Sequence, residues 1–372
     1  MLPVFPRWQR AVLKIGSNLI APGGQALSVR HLLGVAQFVQ QARLQGREVI
    51  IVSSGAVAAG RARLRAQQND ARIAAKQALA AIGQTQLIAF WQQFFDLPVA
   101  QLLLTHDDLV NRRRFVNAKN TLRELLALDV LPVINENDSV AVDELRVGDN
   151  DNLAAHVAVL SEADLLIIGT DIDGLYDADP RSKPDAKLIP FVEHVSDQIM
   201  ALAGGAGSKV GTGGMRTKLQ AARAAAERGI PTVIINAQKP NALVSLLKQQ
   251  VDGTWLASGQ APKTAKKHWM LHALPVVGCV HIDAGAVQAL RDKGASLLPS
   301  GVARVEGQFN EGDAVEIVHN GIAIAKGIVQ YDSVALARLA GCRSQEIEQR
   351  LGFSNGETVI HRDDLVVFDL PG

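Results

Sequence analysis

Hydrophobic positions fall into two alternating textures along the first 240 residues. One is a short β-branched apolar run that stops abruptly at Gly, Ser, Thr, Asn or Asp. It occurs as AVLKIGSN at 11–18, EVIIVSSGAVAAG at 48–60, PVAQLLLT at 98–105, VLPVINEND at 130–138, ADLLIIGTDIDG at 163–174 and PTVIINA at 231–237. Runs of this length bounded by turn residues predict buried strands. The other texture spaces its apolar residues by three and four, as Leu32, Val35, Ala36, Val39 and Ala42 do within 28–45. Segments 72–91, 117–128, 151–160 and 214–228 repeat it, which predicts helices with one buried face. The alternation predicts an α/β fold, a mostly parallel sheet with helices on both faces. Such sheets bind ligands beyond the carboxyl ends of their strands, so the polar residues found there are the candidates for chemistry.

Near residue 255 the texture changes. The stretch 254–275 is mixed, basic and Pro-containing, and reads as a linker. We expect a first domain over 1–257, a linker over 258–275 and a small β-rich domain over 276–372. The last carries strand-like runs VARVEG, AVEIV, IAIAKGIV and LVVFDL, with one helical stretch at 333–350.

Composition narrows the class. A chain of 372 residues suggests about two domains. With 48% apolar and 20% charged residues it is globular rather than disordered. The net charge of +1 argues against bulk electrostatic binding to nucleic acid or membrane. That figure combines −5 over 276–372 with +6 over 1–275. Cys279 and Cys342 are the only cysteines, which excludes a disulfide framework and a Cys-based zinc site. The opening MLPVFPRWQR is unlike a secretory signal, and no apolar run approaches the ~18 residues of a membrane span. A cytoplasmic protein without membrane attachment is expected.

The strand ends supply Lys14, Gly16 and Ser17; Ser53, Ser54 and Gly55; Asn135, Asn137 and Asp138; and Thr170 with Asp171. Two loops add VGDNDN at 147–152 and GTGGMRTK at 211–218. Gly211, Gly213 and Gly214 allow backbone N–H groups to approach an anion, and Thr217 and Lys218 then open a helix whose N-terminus favours phosphate. The same loop also reads as a plain Gly-rich connection, and it is not a Walker A motif. Lys14, late in an apolar strand, either faces a ligand or carboxylate or snorkels to solvent. Ser53-Ser54-Gly55-Ala56 is an anion cue or a helix cap. Asp149, Asn150 and Asp151, like Asn137 and Asp138, hold Mg2+ indirectly, orient lysines, or act as turn and cap residues. His106 reads as a surface loop residue. Two lysines, two Gly/Ser anion loops and several carboxylates at one sheet edge suit phosphoryl transfer, where positioning and charge neutralisation are the protein's task.

KIGSN, VSSGAVAAG, NENDSV, VGDNDN, TDIDGLYDADPR and GTGGMRTK, in this order and spacing, resemble the bacterial glutamate 5-kinases of the amino acid kinase superfamily. From about Val276 the tail is similar to the PUA domain attached to many members, notably in ARLAGCRSQEIEQRLG and HRDDLV. The resemblance implies a three-layer αβα amino acid kinase fold and transfer of a phosphoryl group from ATP, with Mg2+, to the γ-carboxylate of L-glutamate. By the same resemblance Lys14 and Lys218 neutralise the transferring group and Asp151 orients them. Ser54, Asp138 and Asn150 then bind glutamate. Thr170 and Asp171 bind ATP together with Thr212, Gly213, Gly214, Met215, Arg216, Thr217 and Lys218, and Lys14 also contacts the nucleotide. Tyr176 to Arg181 lie near it. Proline is implied as a feedback inhibitor, with 105–120 and its Arg114 and Asn117 as the place to look. A homo-oligomer, dimer or tetramer, is implied, and the product calls for a glutamyl-phosphate reductase. Asn18 and Ala154 depart from the family pattern. PUA domains also occur in RNA-modifying proteins, but the acidic tail argues against nucleic acid as a partner.

Overall fold

The computed structural model describes residues 3–64, 72–141, 150–203, 214–259, 267, 270–271 and 274–368. They form two compact units, 1–109 with 118–262, and 110–117 with 263–372.

The first unit is built on an eight-stranded sheet. Its strands are β1 (Arg10–Ile15), β2 (Glu48–Ser53), β3 (Val99–Leu104), β4 (Leu131–Glu136), β5 (Leu165–Thr170), β6 (Phe191–Val192), β7 (Thr232–Asn236) and β8 (Gly253–Leu256). Their spatial order is β3-β4-β2-β1-β5-β7-β8-β6. All six strands expected from the apolar runs are present and parallel, whereas β8 runs antiparallel to β7 and β6 pairs parallel with β8, so these two run against the rest. Residues 254–256, where the linker texture begins, therefore belong to a strand. Their polar start hides them, because a four-residue strand has no room for a long apolar run.

The helices are α1 (Ser17–Ile20), α2 (Leu33–Leu44), α3 (Ala56–Leu64), α4 (Ile73–Gln92), α5 (His106–Val110), α6 (Arg112–Ala127), α7 (Asn150–Leu160), α8 (Asp197–Leu202), α9 (Met215–Ala226) and α10 (Pro240–Leu247). Alternation along β1 assigns them to layers. Ala11, Leu13 and Ile15 pack with α1 to α4 and α10. Val12 and Lys14 face the opposite side, where α7 and α9 lie against β1, β5 and β7. The unit is thus the expected three-layer αβα sandwich. His106 opens α5 instead of lying in a loop. Thr105 and Asp108 cap that helix reciprocally, with the Asp108 amide donating to Thr105 Oγ1 and the Thr105 amide to Asp108 Oδ2.

The second unit holds a five-stranded sheet of β9 (Val276–Ile282), β10 (Val302–Gly307), β11 (Ala314–His319), β12 (Ile322–Ile328) and β13 (Leu365–Val367), in the order β10-β9-β11-β12-β13. Its core includes Val280, Val315, Ile317, Leu336, Leu339 and Ile360. The single helix expected over 333–350 is two short ones, Ser333–Leu339 and Ile347–Leu351. Gly341, at φ +74°, breaks the run. Both cysteines are free.

Candidate active site

The strand order reverses at β1: β2 and β4 lie on one side of it, β5 and β7 on the other. Such a switch point opens a crevice at the carboxyl ends of the strands. Lys14 sits there, level with Val52 of β2 and Ile168 of β5. Being on the even face of β1, it projects towards α7 and α9, whose N-terminal turns bring Asp151 and Lys218 to meet it.

Lys14 Nζ lies 2.6 Å from Asp151 Oδ1, and Lys218 Nζ lies 3.0 Å from Asp151 Oδ2. Thr217 Oγ1 also donates to Asp151 Oδ2, at 2.9 Å. All three charges are buried, with 3%, 0% and 4% exposure for Lys14, Asp151 and Lys218. Burial pushes the Asp151 carboxyl upward, but Lys14 and Lys218 more than offset this and hold it at about 2. Two ammonium groups share one carboxylate, leaving a net positive centre at the N-terminal ends of α7 and α9. Helix N-termini reinforce an anion site of this kind. The carboxylate alternative for Lys14 therefore holds, and snorkelling does not.

On the β2–β4 side of the triad a polar pocket forms. Asn150 Nδ2 donates to Ser54 Oγ at 2.7 Å and to the Ser53 carbonyl at 3.2 Å. It also donates to Asn135 Oδ1 at 3.1 Å. Trp91 Nε1 secures Ser53 by donating to its Oγ at 2.9 Å. Gly55 turns the chain into α3 with φ +110°, and a Cβ there would lie 2.9 Å from Ile20. Asp138, half-buried, begins the 138–140 turn, anchored by the Asn137 amide donating to the Leu104 carbonyl at 2.9 Å.

The β5–β7 side holds Thr170 and Asp171 at the end of β5. Thr170 Oγ1 donates to Asp171 Oδ1 at 3.2 Å, and Asn18 Nδ2 donates to Asp171 Oδ2 at 3.2 Å. The atypical Asn18 thus ties the β1 end to the β5 end, while Ala154 is buried within α7. Gly214 caps α9, Met215 and Arg216 form its first turn, and Arg216 is exposed. Thr217 and Lys218 are the third and fourth residues of α9 rather than its opening pair. Gly211, Thr212, Gly213 and the 147–149 part of VGDNDN lie outside the described residues.

Sequence reasoning missed two features. Gln84 of α4, buried, accepts from Asn135 Nδ2 at 3.0 Å through its Oε1. Asp173 accepts from Asn236 Nδ2 at 2.9 Å and pairs with Lys239 Nζ at 2.8 Å. Hydrogen bonds from Lys239 and Asn236 hold the Asp173 carboxyl below the usual range. The end of β7 carried a signal in Asn236, the stop residue of PTVIINA. Gln84 carried none, since one glutamine in a helical stretch reads as surface.

Residues 9–236 match the model of the amino acid kinase family, and 278–351 match the PUA domain. The chain is 53% identical over 369 residues to the glutamate 5-kinase of Salinibacter ruber, covering 98% of each. It is 56% identical over 361 residues to that of Xanthomonas campestris, covering 96% of this chain and all of the relative. Against the glutamate 5-kinase of Xylella fastidiosa identity is 51% over 369 residues, covering 98% and 96%. With its family model spanning the whole strand-end crevice, the chain belongs to the amino acid kinase family and carries a PUA domain after the kinase region.

Proposed function

We propose that this protein is a glutamate 5-kinase, which joins the γ-phosphoryl group of ATP to the γ-carboxylate of L-glutamate. A carboxylate oxygen bonds to the γ-phosphorus as the bond to the β–γ bridging oxygen breaks, giving L-glutamyl 5-phosphate and ADP. The observation that carries the reading is the buried Lys14–Asp151–Lys218 triad at the switch point, between a polar pocket and the ends of β5 and β7. A γ-carboxyl with a solution pKa of about 4.3 is already ionised and needs no general base. The difficulty is bringing one anion to another, and two fixed ammonium groups address it. Ser54, Asn150 and Asp138 are assigned to glutamate, and Thr170, Asp171 and the start of α9 to ATP. Asp151 fixes both lysines rather than touching substrate.

Mg2+ enters this reading with ATP and supplies further neutralisation of the phosphate oxygens. Asp151 is closed to it, since both carboxylate oxygens are held by lysines. Proline inhibition and a homo-oligomer belong to the same proposal. Proline titration of wild type against Arg114→Ala and Asn117→Ala tests the inhibition, and unchanged inhibition in both rejects the location.

The decisive assay supplies ATP, glutamate and hydroxylamine and measures hydroxamate. Formation from glutamate is expected. Formation from aspartate or N-acetylglutamate but not from glutamate overturns the substrate. Lys218→Ala is expected to lower turnover at least about 100-fold with the fold retained, and near-normal turnover removes it from the mechanism.

A further inference from the structure

We propose that Gln84 is a positioning residue of the acceptor pocket. It terminates a directed relay of side-chain amides, Gln84–Asn135–Asn150, that makes Asn150 present its oxygen to the substrate. The inference rests on the assignment of Asn150 to that pocket.

The direction of the relay follows from one contact. Asn150 Nδ2 lies 3.2 Å from the Ser53 carbonyl, which only accepts hydrogen bonds. The reversed amide would set two oxygens against each other, so the nitrogen must face β2. Asn135 must then turn its Oδ1 to Asn150, at 3.1 Å, and its Nδ2 away. That Nδ2 needs an acceptor because Asn135 is only 3% exposed, and Gln84 Oε1 supplies it at 3.0 Å. Each amide orientation forces the next, from the backbone of β2 to a side chain on α4.

The far end shows which atom of Gln84 matters. Its Nε2 is buried and has no hydrogen-bond partner among the described residues. An unpaired buried donor is unfavourable, so what Gln84 contributes is its oxygen. At the near end, Asn150 Nδ2 is engaged by three oxygens, on Ser53, Ser54 and Asn135. Its Oδ1, without a partner among the described residues, is left as an acceptor. An acceptor here suits a donor group on the substrate, and an α-ammonium is the strongest donor an amino acid offers. Without Gln84 Oε1, Asn135 loses one of the two partners that fix its amide, and one of the three oxygens that hold Asn150 Nδ2 is no longer held in place.

The test compares Gln84→Met with wild type. Methionine keeps the volume and removes the acceptor. It also exchanges one orphan donor, Gln84 Nε2, for another, Asn135 Nδ2, so the melting temperature is expected to stay within about 2 °C. The KM for glutamate is expected to rise about threefold to tenfold, the value of one hydrogen bond, with the KM for ATP within about twofold. Gln84→Asn, which withdraws the oxygen by one methylene, should show the same split. The double variant Gln84→Met/Asn135→Ala should bind glutamate no worse than Asn135→Ala alone. Multiplying losses, an equal rise in both KM values, or an unchanged glutamate KM would overturn the relay. Asn150→Ala separates the two levels. If it leaves the glutamate KM unchanged, the pocket assignment itself fails. If it raises that KM while both Gln84 variants do not, only the relay fails.

Discussion

At the scale of single residues, Lys14 was legible in the sequence because a cation inside an apolar strand is expensive to bury without a partner. The partner was not legible: Asp151 lies 137 positions away, and the Asp-Asn run around it reads equally well as a turn. The buried triad makes a sharp prediction. Asp151→Asn removes the carboxylate that Lys14 and Lys218 share, and breaking such a buried pair costs about 3–5 kcal/mol. Urea unfolding should show that loss, and turnover should drop about 100-fold or more as the lysines separate. Wild-type stability in the variant would refute the triad as drawn. Its pH dependence has a definite sign. The folded carboxyl sits at about 2, below its unfolded value of about 3.9, so between them the unfolded chain binds the extra proton. The stabilisation is therefore full above about pH 4 and fades as the pH falls towards 2. The stability gap between wild type and Asp151→Asn should be flat from about pH 5 to 8 and narrow below about 4.

At the scale of elements, long apolar strands announced themselves, whereas β6 and β8, at two and four residues, did not. The crossing of α3 and α4 is invisible to periodicity, because it depends on two glycines 23 positions apart. A Cβ on Gly60 would lie 1.9 Å from the Leu79 carbonyl oxygen, and one on Gly83 would lie 1.8 Å from that of Ala56. The helices touch backbone to backbone, and this contact carries Gln84, next to Gly83, up to Asn135. Gly83→Ala gains about 1 kcal/mol of helix propensity, but the added methyl has nowhere to go without separating the helices. A net loss of up to about 2 kcal/mol is expected by thermal or urea unfolding, together with a higher glutamate KM. An alanine variant as stable as wild type would mean that the two helices do not pack this closely.

At the scale of the whole molecule, a near-neutral total conceals a basic kinase region and an acidic tail, and the sequence alone shows that split. What the tail does with its few cations required the structure. Lys326 is buried, donating to the Leu271 and Leu274 carbonyls at 3.1 and 2.5 Å. Arg304 is paired with Glu306, and Arg350 with Glu346 at 3.3 Å. A domain with net charge −5, and with these three of its eight basic groups engaged, is expected to release few counterions on meeting a phosphate backbone. On charge grounds, the PUA match is not expected to carry RNA affinity with it. Fluorescence anisotropy of a labelled RNA duplex, titrated with the full chain, should show no binding tighter than about 100 µM at about 0.15 M salt. Lowering the salt to about 0.05 M tests the charge argument directly, since binding through phosphates would then strengthen several-fold. Micromolar affinity of the full chain that persists when the basic groups of 1–275 are left intact but Arg338, Arg343 and Arg362 are changed to Glu would trace to the first 275 residues, whereas its loss would give the PUA domain an RNA partner.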